Sequence, residues 1–386
     1  MTFLQQDLEQ PVTYLDNSST TQPCPTAVSR MTAALTEGWG NPSSLHRLGM
    51  VAQLEMDAAR WLLAEKLSCK PAEVYFTGGG TEANNMALFG GAMAGRRRGS
   101  RVVTTAIEHP SVLEAAAALE KEGFQVVRLT PDSDGKVPAA ALEEAIDKNT
   151  VLVSVMYVNN ETGAIQPVEA AAAAIRRAGA PALLHCDCVQ AFGKIPVRPA
   201  RLGADLVTVS AHKIHGPKGV GALYVSGKAR IVPRVFGGGQ EKNLRPGTEP
   251  TPAIAGFRGA LEELPEPAAQ LPKMRRLRDY AEEKLRQTGE AVIHSTPDSL
   301  PYILNFSLPG LRSEILLHFL EERNIFVSSG SACARGKGSY VLRAQGISDR
   351  LADSAIRVSF SRYNTEADAD RLADAIRAAA GRLRRQ

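Results

Sequence analysis

Short continuous apolar runs, bounded by glycine, proline or polar clusters, alternate through residues 73–225 with stretches whose apolar positions recur every three to four residues. The runs "EVYFT" (73–77), "RVVTTA" (101–106), "TVLVSVMYV" (150–158), "PALLHCD" (181–187), "DLVTVSA" (205–211) and "GALYV" (221–225) predict strands. Between them a segment opening at Thr81, then "SVLEAAAALEKEG" and "VEAAAAAIRRAG", predict helices, and their alanines are good helix formers. Strands with no polar face, separated by amphipathic helices, indicate a parallel sheet covered on both sides.

The pattern changes near residue 262. "ELPEPAAQLP" carries three prolines in ten residues and reads as a break in a long connection. Beyond it come a predicted helix (273–287), a strand "YILNFSL" (302–308), a helix (312–323), "IFVSSGS", a strand "SAIRVSFS" (354–361) and a last helix with Thr365 as its N-cap. The expected class is α/β, with a mostly parallel sheet between helices in a large domain (16–260). A smaller α+β domain is expected from 1–15 together with 261–386.

Composition narrows the function classes. The chain has 386 residues, 44% of them hydrophobic and 22% charged, which is ordinary for a globular protein of two domains. The net charge of +4 is mild and scattered, so no nucleic acid is expected as a partner. The runs Arg96-Arg97-Arg98 and Arg382 to Arg385 read as solvated faces. No stretch approaches the ~20 apolar residues of a membrane span, and the start lacks a basic region followed by an apolar one. No membrane partner is expected. Five cysteines (Cys24, Cys69, Cys186, Cys188, Cys333) show no disulfide spacing, which fits a reduced, cytoplasmic setting. Cys186 and Cys188 form a Cys-x-Cys without a second ligand pair, and His212 and His215 lack metal partners. No metal is expected, and the two thiols read as core residues.

Chemistry gathers at strand ends. In parallel sheets, ligands bind beyond the carboxyl ends of strands. "DLVTVSAHKIHGPKG" presents Ser210, His212 and Lys213 there, and "PALLHCD" presents Asp187 with Gln190 three residues on. A lysine for a Schiff base and a carboxylate for a ring nitrogen are what pyridoxal phosphate requires. The run "FTGGGTEANN" (76–85) offers Gly80 and Thr81 at a helix N-terminus, where backbone N–H groups can meet a phosphate. Its spacing fits neither a nucleotide P-loop nor a dinucleotide fingerprint, and a plain glycine turn remains the alternative for this piece alone. His109 ends a strand. Its spacing allows either an imidazole over a cofactor ring or a cap on the following helix. Cys333 stands in "SSGSACARGKG" among small residues, with Arg335 and Lys337 close by to favour thiolate.

Taken together, "YLDNSSTT", "GNPSSLHRLG", "FTGGGTEANN", "IEHPSVL", "VNNETGAIQP", "HCDCVQAFGKIP", "SAHKIHGPKGVGALYV", "RPGTEP", "SSGSAC" and "SAIRVSFSRYNT" resemble, in order, the cysteine desulfurase family of pyridoxal phosphate enzymes. The resemblance implies the aspartate-aminotransferase-like fold and a homodimer. It implies that Lys213 binds the cofactor and moves the substrate proton, Asp187 pairs with the ring nitrogen, and Gln190 and Asn160 meet the ring oxygen. His109 would stack on the ring. Gly80, Thr81, Ser210 and His212 would hold the phosphate, with Thr248 reaching it from the other subunit. Arg357, together with Asn160, would bind the substrate. Cys333 would take sulfur from L-cysteine as a persulfide, release L-alanine, and pass the sulfur to an acceptor protein of iron–sulfur assembly or thiolation. The loop after Cys333 is slightly shorter than in the family's housekeeping members. Another enzyme using the same cofactor, a selenocysteine lyase or an aminotransferase, is the alternative.

Overall fold

A computed structural model describes residues 11–289, 291–329 and 338–383. Its strands, in chain order, are β1 (Thr13–Tyr14), β2 (Val74–Thr77), β3 (Arg101–Thr105), β4 (Gln125–Leu129), β5 (Thr150–Ser154), β6 (Leu183–Asp187), β7 (Leu206–Ser210), β8 (Gly221–Val225), β9 (Val292–Ile293), β10 (Ile303–Ser307), β11 (Ile325–Phe326) and β12 (Ala355–Ser359).

The central sheet has seven strands in the order β2-β8-β7-β6-β5-β3-β4. Neighbours from β7 through β4 are parallel, while β8 runs against both β7 and β2. The sequence predicted parallel strands throughout this region; β8 departs because residues 211–220 are too short a connection for a crossover, which needs a dozen or more residues. β4 was not predicted; it extends the sheet at its edge beside β3.

Both faces of the sheet are covered. Val102, Leu206 and Leu223 pack with Ala83, Ala87 and Leu88 of the Gly80–Gly95 helix and with Val112 and Leu119 of the Pro110–Lys121 helix. Val103, Val153, Val207 and Ala222 belong to the opposite layer, which continues through Phe257 into Phe306, Ile356 and Ile376 of the C-terminal part. This layer also takes in the fully buried Cys186 and Cys188, whose Sγ atoms lie 3.5 Å apart. At ~0.8 kcal/mol per buried methylene, this apolar area is the main term holding the layers together.

The C-terminal part is built on an antiparallel sheet of order β12-β10-β9, with β1 pairing parallel to β11 beside it. Isolated bridges Asp16 to Ser359 and Ser328 to Arg357 join these two sheets. The helix expected over 273–287 spans Pro267–Arg286. Pro267 takes the first helical position, where its missing N–H has no partner to lose. Thr365 does precede the last helix, Glu366–Leu383, but the cap works in reverse: the Asp368 carboxylate reaches back to accept from the Thr365 N–H at 2.9 Å.

Candidate active site

The carboxyl ends of β3, β5, β6 and β7 lie on one edge of the sheet, and the segments that leave them converge on a cavity of about 450 Å³. It is lined by His109, Asn160, Asp187, Gln190, Ser210, His212, Lys213, Gly80, Thr81 and Arg357, all expected from the sequence. Thr248 does not line it and is exposed on the surface. Cys333 lies outside the described residues, but Ser328 and Tyr340, on either side of it in sequence, are at the wall of the cavity.

Asp187 is the last residue of β6 and is buried. Its Oδ2 accepts from Asn84 Nδ2 at 2.7 Å and its Oδ1 from the Val189 N–H at 2.9 Å. Asn84 was not among the expected residues. Its signal was present: it lies four residues after Gly80, on the same face of a helix that starts at the site. Lys213 ends the short turn after β7, and its Nζ donates to the carbonyls of Ser18 at 2.5 Å and Ser19 at 2.8 Å.

His109 takes the cap position that its spacing allowed, and it also lines the cavity. It is the N-cap of Pro110–Lys121, with Nδ1 accepting from the Ser111 N–H at 3.1 Å, and it faces the cavity. Burial lowers its pKa and the Lys213 charge adds to this, against the pull of Asp187. The ring is therefore held neutral with its proton on Nε2.

Arg357, on β12, donates from Nη1 to the Asn160 carbonyl at 3.0 Å and from Nη2 to Asp16 Oδ1 and Ser19 Oγ, each at 2.7 Å. Nearby, Ser339 Oγ donates to Glu161 Oε2 at 2.5 Å, and Tyr340 Oη to the Glu108 carbonyl at 2.5 Å. Burial raises both carboxyls, Glu161 to about 7 and Glu108 to about 8. Asp16, Glu161, Ser339 and Tyr340 are contributions that sequence reasoning missed; only tertiary contact brings them here.

The cavity carries the marks of a ligand site for a pyridine ring and a phosphate. Ser18 Oγ, Asn160 Oδ1, Ser210 Oγ and Arg357 Nε are buried with no hydrogen-bond partner among the described residues, and all four residues line the cavity. Such groups are costly unless something satisfies them. At Gly80 an added Cβ would meet Val189 Cγ2 at 2.9 Å, so the backbone at the helix N-terminus stands close against the β6 end of the site. An anion at that terminus meets N–H groups and the positive end of the helix dipole. A carboxylate, an amine and an anion cradle around one space fit pyridoxal phosphate.

Comparison with known proteins agrees. The family model for class-V aminotransferases matches residues 13–372. The chain is 40% identical over 383 residues to "Cysteine desulfurase IscS" of Serratia proteamaculans, covering 96% of this chain and 93% of that protein. It is 41% identical over 368 residues to the "NifS/IcsS protein homolog" of Lactobacillus delbrueckii subsp. bulgaricus, covering 92% and 94%. Among solved structures, a "NIFS-LIKE PROTEIN" superposes with a TM-score of 0.90 at 37% identity, covering 96% of this chain and 99% of that one. "SspA in complex with cysteine" gives 0.80 at 33% identity, covering 92% and 100%.

Proposed function

The chain belongs to the class-V aminotransferase family and is a cysteine desulfurase that works with pyridoxal phosphate, and from that premise we propose how its own residues divide the labour. The observation that carries the reading is the convergence of Lys213 and Asp187 on one cavity with unsatisfied buried polar groups around them. When bound, the cofactor supplies an electron sink that loosens bonds at the substrate carbon.

Lys213 would attach the cofactor and, once displaced, act as the amine that takes the substrate α-proton. Asp187 would keep the ring nitrogen protonated, its carboxylate held in place by Asn84. Gly80, Thr81, Ser210 and His212 would hold the phosphate. Gln190 and Asn160 would meet the ring oxygen, and His109 would cover the ring. Arg357 would bind the substrate carboxylate through Nε, which has no partner among the described residues, while Asp16, Ser19 and the Asn160 carbonyl keep the guanidinium from turning. Cys333 would attack the sulfur of bound L-cysteine. The S–S bond forms as the C–S bond breaks, leaving Cys333–S–SH, and the remaining fragment takes a proton and leaves as L-alanine.

The protein would act as a homodimer. Met50, Leu54 and Trp61 expose 58–66% of their surface along one face of the Arg47–Leu67 helix, and Phe236 exposes 85%. Such an apolar stripe fits a partner surface, and the exposed Thr248 would serve the other subunit's phosphate. Sheet membership supports the division into 16–260 and 1–15 with 261–386, since β1 pairs with β11 rather than with the central sheet. Residues 1–10 lie outside the described residues. Among the described residues no helix is long and apolar enough to cross a membrane, and the described cysteines are unpaired, in keeping with work in the cytoplasm. An acceptor protein of iron–sulfur assembly or thiolation would receive the persulfide.

Two substitutions test this. Lys213→Ala should abolish the near-visible absorbance of the bound cofactor; a band that survives removes Lys213 from its role. Cys333→Ser should keep the band yet stop persulfide formation; full sulfur release from that variant would assign the attack elsewhere.

A further inference from the structure

Next to the site lies a second buried amine for which the scheme above has no use. Lys194 is only 7% exposed. Its Nζ donates to Gln190 Oε1 at 3.1 Å and stands 5.8 Å from the Tyr302 ring centroid. Gln190 Nε2 donates to the Ser18 carbonyl at 2.9 Å, the same oxygen that accepts from Lys213. A continuous chain thus runs Lys194, Gln190, Ser18 carbonyl, Lys213. Lys194 and Lys213 also share the wall of a small cavity of about 30 Å³ with His215, Tyr302 and Arg362.

We propose that Lys194 is a positioning residue: it fixes which end of the Gln190 amide faces the cofactor ring and sets the charge felt there. The proposal rests on the cofactor reading above and adds to it. In its charged form Lys194 can only donate, so it holds the oxygen end of the amide, Gln190 Oε1. The Ser18 carbonyl, which only accepts, holds the nitrogen end from the other side, and that end carries a second N–H suited to a negatively charged ring oxygen. Without Lys194 the oxygen end loses its donor and the amide is fixed by one hydrogen bond in place of two.

The surroundings make the placement costly, which argues that it is retained for a purpose. Among the described residues, the charged groups around Lys194 are the cations Lys213, Arg357 and Arg362; burial lowers the pKa of His212 and His215, and Tyr302 turns its ring to the amine. Burial, then Lys213 and Arg357, lower the Lys194 pKa to about 7. The amine is therefore part-charged near neutrality.

The test is the pH titration of the bound cofactor's absorbance in the holoenzyme. Removing a nearby positive charge makes a proton easier to hold, so Lys194→Met should raise the midpoint of the band by about one pH unit and weaken cofactor retention roughly 10-fold. Lys194→Arg should recover most of both. Gln190→Met should produce the loss of retention, and the double variant should lose no more than the worse single one, because the two residues act as one unit. A Lys194→Met enzyme whose band is present and titrates like the unaltered protein overturns the proposal while leaving the cofactor site intact. Should Lys194→Met not fold, Gln190→Met and Lys194→Arg carry the test, and unchanged retention in Gln190→Met overturns it. A protein with no band at all, or a band that survives Lys213→Ala, would instead sink the site reading beneath it.

Discussion

Asp187 shows how one residue depends on another that the sequence did not single out. In the role proposed for it, holding a ring nitrogen, the Asp187 carboxylate needs its second oxygen fixed, and Asn84 Nδ2 donates to that oxygen at 2.7 Å. Asn84 also donates to Ser111 Oγ at 2.8 Å, next to the cap that His109 makes. Replacing it with alanine removes a charge-assisted hydrogen bond worth ~1.5–3 kcal/mol. Asn84→Ala should therefore weaken cofactor binding by about tenfold or more, read from fluorescence titration, and also lower the melting temperature, because the same buried hydrogen bonds are lost from the unliganded fold. Equal affinity in the two proteins would show that Asp187 orients itself. Lys213, Asp187 and His109 were legible because each ends an apolar strand and is followed by a turn. Asp16 and Glu161 were not, since their partners stand 341 and 178 positions away.

At the level of elements, β8 and the Gly80–Gly95 helix are the decisive pair. Ser210, at the end of β7, is opposite Gly221 on β8, and β8 lies against the glycine turn that opens the helix. A Cβ at Gly221 would meet the Val209 carbonyl oxygen at 2.7 Å and Gly79 backbone atoms at 2.9 Å. Neither contact can yield by rotating a side chain. Overpacking of this kind costs ~1–3 kcal/mol, and the shift would move the helix N-terminus. Gly221→Ala should both lower the melting temperature and loosen the phosphate grip, seen as cofactor loss on dialysis. Unchanged retention would mean that the helix start is not set by β8. The strands themselves were readable because buried parallel strands are continuous apolar runs; the antiparallel course of β8 depended on loop length, which the apolar pattern does not encode.

At the scale of the molecule, two outcomes are expected. Leu54→Glu places a charge in the exposed stripe of the Arg47–Leu67 helix. On the proposed homodimer, sedimentation should then show a smaller species, and on the role proposed for Thr248 that species should also hold cofactor less well; an unchanged sedimentation coefficient removes this face from the interface. The second concerns pH. Burial holds His185, His212, His215 and His294 near 4, below the usual 6.5, so the unfolded chain binds more protons than the folded one between those values, and stability rises with pH there. Glu161 and Glu108 act in the opposite sense: raised to about 7 and about 8 from 4.5, they favour the fold at low pH and lose this as pH rises through those values. Four histidines outweigh two acids below 6.5. Above about 7, Lys194, whose folded pKa is depressed, opposes Glu108. Calorimetry should show the melting temperature climbing from pH 4.5 to 6.5 and flattening between about 7 and 8; a midpoint that falls over the lower interval would contradict the assignment of neutral buried histidines.

Sequence by itself determined the layered α/β class, the strand ends that carry Lys213, Asp187 and His109, and the family motifs, because periodicity and turn chemistry are local properties of the chain. Tertiary structure alone decided which groups those residues meet. The pairing of Arg357 with Asp16, the grip of Asn84 on Asp187 and the line from Lys194 to Lys213 through Gln190 arise only when distant segments are packed into one low-dielectric cavity. There an unmet hydrogen bond is expensive, so each polar group's partner is set by the fold around it.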